Sequence, residues 1–212
     1  MIDLPNTTAV NRFVPKEKFY SKTSMSSKLR QQFTDEIEKI RWTNKISQDT
    51  LNITSGDYTE LQVFEITLKG SDVSTAVLRH IDTYIPYPIL FIINKSGSYK
   101  AVVSFKEKAL RNQNNMKVDS YFDTGWQQNL SLELKGRSVD EIYRNYLYQI
   151  APDLRHTKQT NTKDAVELTK VKQVIQGQID ALNKQIRNEL SIAKKQELAR
   201  QRFELEQQRK KL

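Results

Sequence analysis

Between residues 61 and 93 the sequence changes its hydrophobic period twice, and this restricts the fold more than any other feature. "LQVFEITLKG" alternates strictly, with Phe64, Ile66 and Leu68 on one side and Glu65, Thr67 and Lys69 on the other. A period of two marks a half-buried strand, and Gly70 ends it. "SDVSTAVLRHIDTYIP" follows, with Val73, Val77 and Ile81 four apart on one helical face. Ser71 or Asp72 can cap its start by accepting an orphan backbone N–H. Pro86 ends it, because the residue before a proline is pushed out of the helical region. After Pro88 comes "ILFII", an unbroken apolar run that fits a strand covered on both faces. Strand, helix and buried strand make a βαβ unit with parallel strands and a right-handed crossover.

The stretch "HIDTYIPYPILFIIN" joins that helix to that strand, and it holds a histidine and an aspartate. A catalytic base needs a nucleophile and an orienting partner. His80 lies at the edge of the buried helical face, Asp82 falls on a different side, and the other histidine, His156, is far away in a polar stretch. The segment reads as a joint rather than an active site.

Other elements follow from the same periods. Residues 1–20 read as extended or irregular, since Pro5 and Pro15 break helices. Residues 26–42 read as a helix with Leu29, Phe33, Ile37 and Ile40 on one face. Ser96-Gly97-Ser98 is a turn, so residues 99–106 fold back antiparallel. "KVDSYFDTGW" and "LSLELKG" read as two further strands. "SVDEIYRNYLYQIAP" is a helix, with Ser138 and Glu141 in capping-box spacing and Pro152 closing it. The expected class is α+β: a mixed sheet of four to six strands with packed helices, spanning residues 1–153.

Residues 154–163 are polar and aperiodic, a linker. Beyond it Leu168, Val171, Ile175, Ile179, Leu182 and Ile186 form a narrow apolar seam of coiled-coil type. The seam breaks near "NELSIAKK" and resumes through Leu198, Leu205 and Leu212. Residues 164–212 are therefore expected to form a helical hairpin, with one continuous helix as the competing form.

Composition narrows function. The chain has no Cys, so disulfides and thiolate metal sites are excluded. No metal-binding spacing of histidines and no Gly-rich phosphate loop occurs, and no cofactor or metal is expected. No apolar run approaches the ~18 residues of a membrane span, and the start lacks a secretory pattern, so the cytoplasm is the expected compartment. The net charge of +9 is uneven. The first 30 residues carry +4, residues 31–150 carry −1, and the last 62 carry +6. Basic ends favour an anionic partner. At the N-terminus Arg12, Lys16, Lys18 and Lys22 mix with Phe13, Phe19 and Tyr20, which suits phosphates and stacked bases, while packing of the arm on the core is the favoured reading for Phe13 and Phe19. At the C-terminus Lys194, Lys195, Arg200 and Arg202 are interleaved with Glu197, Glu204 and Glu206, as on the flanks of a coiled coil that selects a partner helix. A carboxylate-only magnesium nuclease built on Asp57, Glu65 and Lys69 is the enzymatic alternative. Metal-dependent nucleases place one residue between acid and lysine, whereas Glu65 and Lys69 are separated by three.

The segments "IDLPNTTAVNRFVPKEKFY", "DEIEKIRWTNKISQDTLNI", "ELQVFEITLKG", "HIDTYIPYPILFII", "YFDTGW" and "LNKQIRNELSIAKKQEL" occur in this order. Together they resemble a bacterial and archaeal family defined only as a domain of unknown function. Members are often encoded beside DNA methylases and helicase-type restriction subunits. The resemblance implies a part in restriction or phage defence and supplies no catalytic residues. It departs from the family at Ile192-Ala193, where an aromatic-Asn pair recurs. The expected role is a non-catalytic accessory subunit docking on a helicase or methylase, with DNA as a second candidate contact. A homodimer held by its coils, gripping DNA without sequence preference, is a further alternative.

Overall fold

The computed structural model describes residues 2–20, 25–108, 116–154 and 162–212. Lys22, His156 and most of the expected linker lie outside the described residues. The chain divides into two compact units, Met1–Pro152 and Asp153–Leu212. The strands are β1 Ala9–Phe13, β2 Ile37–Ser47, β3 Glu60–Leu68, β4 Ile89–Lys95, β5 Ser98–Lys108 and β6 Met116–Asp123. The helices are α1 Glu17–Tyr20, α2 Ser27–Glu36, α3 Gln48–Leu51, α4 Thr75–Tyr84, α5 Val139–Ile150, α6 Thr162–Asn188 and α7 Ile192–Lys211.

The first unit is α+β, built on one six-stranded mixed sheet. Its strands lie side by side in sequence order, β1 to β6. β3 and β4 are parallel, with α4 between them in the chain. The other neighbouring pairs are antiparallel. The βαβ unit is therefore present. Its helix starts later than the sequence suggests. Ser74, not Ser71 or Asp72, is the N-cap and accepts from Val77 N. Asp72 instead accepts from Val73 N and pairs with Lys100 at 2.6 Å.

Two expectations are corrected. The helix expected over residues 26–42 stops at Glu36, and Ile37 begins β2. A bulge between Ile37 and Lys39 puts two residues opposite one, so Ile37 and Ile40 point the same way although three apart. Both are fully buried. Residues 130–136 alternate but form no strand. Glu133 exchanges backbone bonds with the Gln149 carboxamide, and Asn145 donates to Lys135 O. Side chains of α5 thus satisfy backbone that a neighbouring strand would otherwise pair. Leu130 and Leu132 still bury.

The sheet is covered on both faces. On one, Phe64, Ile66, Phe91 and Ile93 join Phe33 of α2 and Val77 and Ile81 of α4 in one cluster. The opposite phase of the strands buries Leu61, Leu90 and Val103, and α5 contributes Ile142, Tyr146 and Leu147 to the core. A bulge between Phe105 and Lys106 interrupts the β5–β6 ladder. The Tyr143 hydroxyl repairs it, donating to Ser104 O at 2.5 Å and accepting from Lys106 N at 3.0 Å. Burial pushes that hydroxyl's pKa well up.

Tyr146 is equally buried, yet its hydroxyl has no partner among the described residues. A buried unpaired hydroxyl loses its hydration without compensation. Tyr146→Phe is therefore expected to leave stability unchanged or raise it by about 1 kcal/mol, whereas Tyr143→Phe lowers it by about 1–3 kcal/mol. Urea unfolding of the two variants measures the contrast.

In the second unit α6 and α7 are separate helices, so the hairpin, not the single long helix, is formed. At 1.5 Å per residue the arms are about 40 and about 30 Å long. Arg209 reaches Gln176 and Arg202 reaches Asn183, so partner numbers fall as α6 advances and the arms run antiparallel. Ile175 and Ile179 of the seam are buried, while Val171 is 44% exposed. Ser191 caps α7, which places Ile192 and Ala193 in its first turn. The Glu189 carboxylate accepts from Leu190 N and Ser191 N, closing the turn. Among the described residues no helix is long and apolar enough to cross a membrane.

Candidate functional site

The joint after α4 is fixed from below by Lys106. Its ammonium is fully buried and donates to the carbonyls of Asp82, Ile85 and Tyr87 at 2.9, 2.8 and 2.7 Å. Helices end with unpaired carbonyls, and prolines at 86 and 88 remove two amides that could bond locally. One cation therefore closes a helix end that the local backbone cannot. The Asp82 carboxylate lies 2.8 Å from the same ammonium and accepts from the Tyr121 hydroxyl at 2.7 Å. Burial lowers the Lys106 pKa, and Asp82 opposes that shift. Burial, then Asp82, raises the Tyr121 pKa. His80 belongs to the same framework, with Nε2 2.9 Å from Phe19 O and its ring edge-on to Phe33 and Tyr84. The "HIDTYIPYP" stretch is a joint, as its sequence suggests.

The fixed joint has an outer side. There Tyr84, Ile85, Pro86 and Tyr87 face Phe19 and Lys18 of α1 and the sheet residues Trp42, Phe64, Glu60 and Gln62 across a cavity of about 440 Å³. A bulge between Trp42 and Asn44 resets the phase of β2. Trp42 then pairs with Phe64 and Lys45 with Gln62, both on the α4 side of the sheet. Trp42 stacks on Phe64 at 6.4 Å and 9° between planes, and its indole N–H is held by Asn44 O. Gln62 is 4% exposed. Its Nε2 donates to Glu60 Oε2 at 2.7 Å, while its Oε1 has no partner among the described residues. Lys45 holds the other Glu60 oxygen at 3.4 Å.

The residues singled out from sequence are dispersed. Asp57, in the loop before β3, donates its backbone N–H to the Asp140 carboxylate at 2.9 Å. Glu65 lies in an open polar groove with Lys39, Arg41 and Thr43 and accepts weakly from Asn94. Lys69 reaches Thr34 O at the end of α2. Among the described residues no three carboxylates or imidazoles are grouped to hold a metal ion. Arg12 is exposed on β1. Lys16 is a local fastener, donating to Ile37 O at 2.6 Å and Phe33 O at 3.5 Å. Burial and then nearby Lys69 lower its pKa. Lys18 alone of this group borders the cavity. On α7 Lys194 and Arg200 are exposed and Lys195 half-buried, while Arg200 pairs with Glu204 and Arg202 with Glu206.

Sequence reasoning passed over Trp42, Glu60 and Gln62. One signal was available: Gln62 is buried in the phase of β3 that also holds Phe64, Ile66 and Leu68. A polar amide in that phase needs a reason.

Fold and site define a mixed-sheet α+β protein with an aromatic-walled cavity in one unit and an antiparallel helical pair in the other. The chain belongs to the family described as domain of unknown function (DUF4391), whose model matches residues 2–212. Neither curated proteins nor solved structures match it.

Proposed function

We propose that the protein is a non-catalytic accessory subunit of a DNA-processing restriction or phage-defence complex, docking on a larger helicase or methylase through its helical hairpin. The observation that carries this reading is the hairpin turn. Leu190 is 94% exposed and Ile192 75% exposed, two large aliphatic side chains flanking Ser191 at the turn. Isolated exposed aliphatics are ordinary, but a bare pair at the turn of a two-helix arm is a ready anchor for a partner groove. The charges of α7 support a protein contact over a phosphate track. Arg200 and Arg202 are already matched by Glu204 and Glu206, so they offer little free positive charge. The resemblance to proteins encoded beside restriction genes supports the choice of partner class.

The test is co-purification of helicase or methylase neighbours with the natively expressed chain and with a Leu190→Ser, Ile192→Ser variant. Each buried aliphatic is worth about 1.5–3 kcal/mol, so the double change should weaken the contact by roughly a hundredfold or more. Stability should change by no more than about 0.5 kcal/mol, since both side chains are in water. Undiminished recovery of the partner by the variant overturns the reading. Changing Lys194, Lys195, Arg200 and Arg202 together to Gln separates the DNA contact. A fall of about four in the log–log salt slope of DNA binding would establish four phosphate contacts at ~0.9 each.

A further inference from the structure

The side of the sheet that carries α5 is covered at one end only. Along β3 and β4 its residues pass from buried to half-exposed. Leu61, Val63 and Leu90 are buried, whereas Glu65, Thr67, Ile92 and Asn94 are half-exposed. The opposite phase stays buried through Phe64, Ile66, Phe91 and Ile93. The register sets the bare residues in two rows. Phe13, Arg41, Glu65 and Ile92 lie opposite one another across β1 to β4. Lys39, Thr67, Asn94 and Tyr99 do so across β2 to β5. Opposed residues on neighbouring strands share a face, so the two rows form one platform. Between β1 and β5 it spans four strand spacings, about 19 Å.

The platform has an aromatic side chain at each flank and cations between them. Phe13, which the sequence suggests packs on the core, is instead 59% exposed at the open edge of the sheet. Tyr99 stands half-exposed on β5. Lys39 and Arg41 border a polar groove of about 430 Å³ closed on one side by Ile2 and Leu4 of the N-terminal arm. Neither makes an ion pair among the described residues. Opposite charges facing each other across strands ordinarily pair. Glu65 faces Arg41 but accepts from Asn94 at 3.4 Å. The guanidinium is left to an outside anion.

We propose that this bare half of the sheet binds single-stranded DNA, with Phe13 and Tyr99 stacking on unpaired bases and Lys39 and Arg41 meeting phosphates. Free aromatic faces and unpaired cations together are what a single strand uses, and the grip needs no particular sequence. A duplex keeps its base faces hidden and would gain the phosphate contacts alone. An acidic peptide would leave the aromatic rings idle. The choice of DNA over RNA rests on the proposed place in a DNA-processing complex. The hairpin takes no part, so failure here leaves the docking of Leu190 and Ile192 intact.

The test is fluorescence anisotropy of the full-length protein with a labelled strand of about a dozen thymidylates, within the usual range of site sizes. The strand should bind more tightly than a duplex of the same length. Phe13→Ala changes an exposed side chain and should weaken binding about tenfold, the loss of one stacked base. Lys39→Gln with Arg41→Gln should lower the log–log salt slope by about 1.4, at ~0.7 per contact on a single strand. Glu65→Gln removes the carboxylate opposite Arg41 and should tighten binding several-fold, an effect that loss of packing would not produce. Circular dichroism checks that each variant is folded. No binding at low salt, a preference for duplex, full affinity in Phe13→Ala or weaker binding in Glu65→Gln overturns the proposal. So does loss of binding when Lys194, Lys195, Arg200 and Arg202 become Gln, which would put the strand on the hairpin. Tighter binding of a uridylate strand of equal length overturns the choice of DNA.

Discussion

Replacing Lys106 by methionine is expected to destabilise the protein by about 3–5 kcal/mol, the cost of removing one partner of a buried ion pair. The charge of Asp82 would remain in the core with the Tyr121 hydroxyl as its remaining side-chain donor among the described residues. The carbonyls of Asp82, Ile85 and Tyr87 would lose their common donor at the same time. A small protein has about 5–15 kcal/mol of stability in all, so this single change should bring it close to unfolding. Urea denaturation followed by far-ultraviolet circular dichroism measures the loss. Adding Asp82→Leu should restore part of it, because the stranded charge disappears while the unpaired carbonyls remain. A double variant no more stable than the single one would assign the loss to the carbonyls and not to the charge.

Truncating Phe33 to alanine is expected to cost about 3–5 kcal/mol through transfer and cavity terms together. Phe33 is wholly buried at the last turn of α2, where Phe19 stacks on it at 6.1 Å and Tyr20 and His80 meet its edges at 5.8 and 5.6 Å. Three aromatic contacts vanish at once. Phe33→Leu keeps part of the volume and should cost less. Equal losses for the alanine and leucine variants would show that ring contacts, rather than filled space, supply the stability.

The elements legible in the sequence are those whose period is clean. β3 alternates without interruption, α4 repeats every four residues, and both could be placed to within a few residues. β2 was hidden by its bulge, because two isoleucines three apart satisfy a helical face and a bulged strand equally. Residues 130–136 failed in the opposite sense. They alternate correctly, but alternation says nothing about whether a neighbouring strand exists. The cavity was legible only at Gln62. Its walls depend on Tyr84 and Tyr87, whose placement is set by a lysine some 20 residues further along the chain, and no local pattern carries that relation. The basic clusters gave away charge but not its employment. Lys16 closes a helix end, and the arginines of α7 pair along their own helix.

The strand order β1 to β6 has a consequence for how the chain is made. Each strand finds its partner in the one synthesised just before it, so the sheet can grow in step with emergence from the ribosome, without waiting for distant segments. The two faces do not mature together. α2 and α4 precede most of the strands they cover, whereas α5 follows all six. Until residue 150 or so has emerged, Leu61, Leu90 and Val103 form a bare apolar surface on a nearly finished sheet. Translation of α5 is therefore the moment at which the nascent chain ceases to be adhesive, and a pause just upstream of Ser138 would prolong its exposure to chaperones and to other nascent copies.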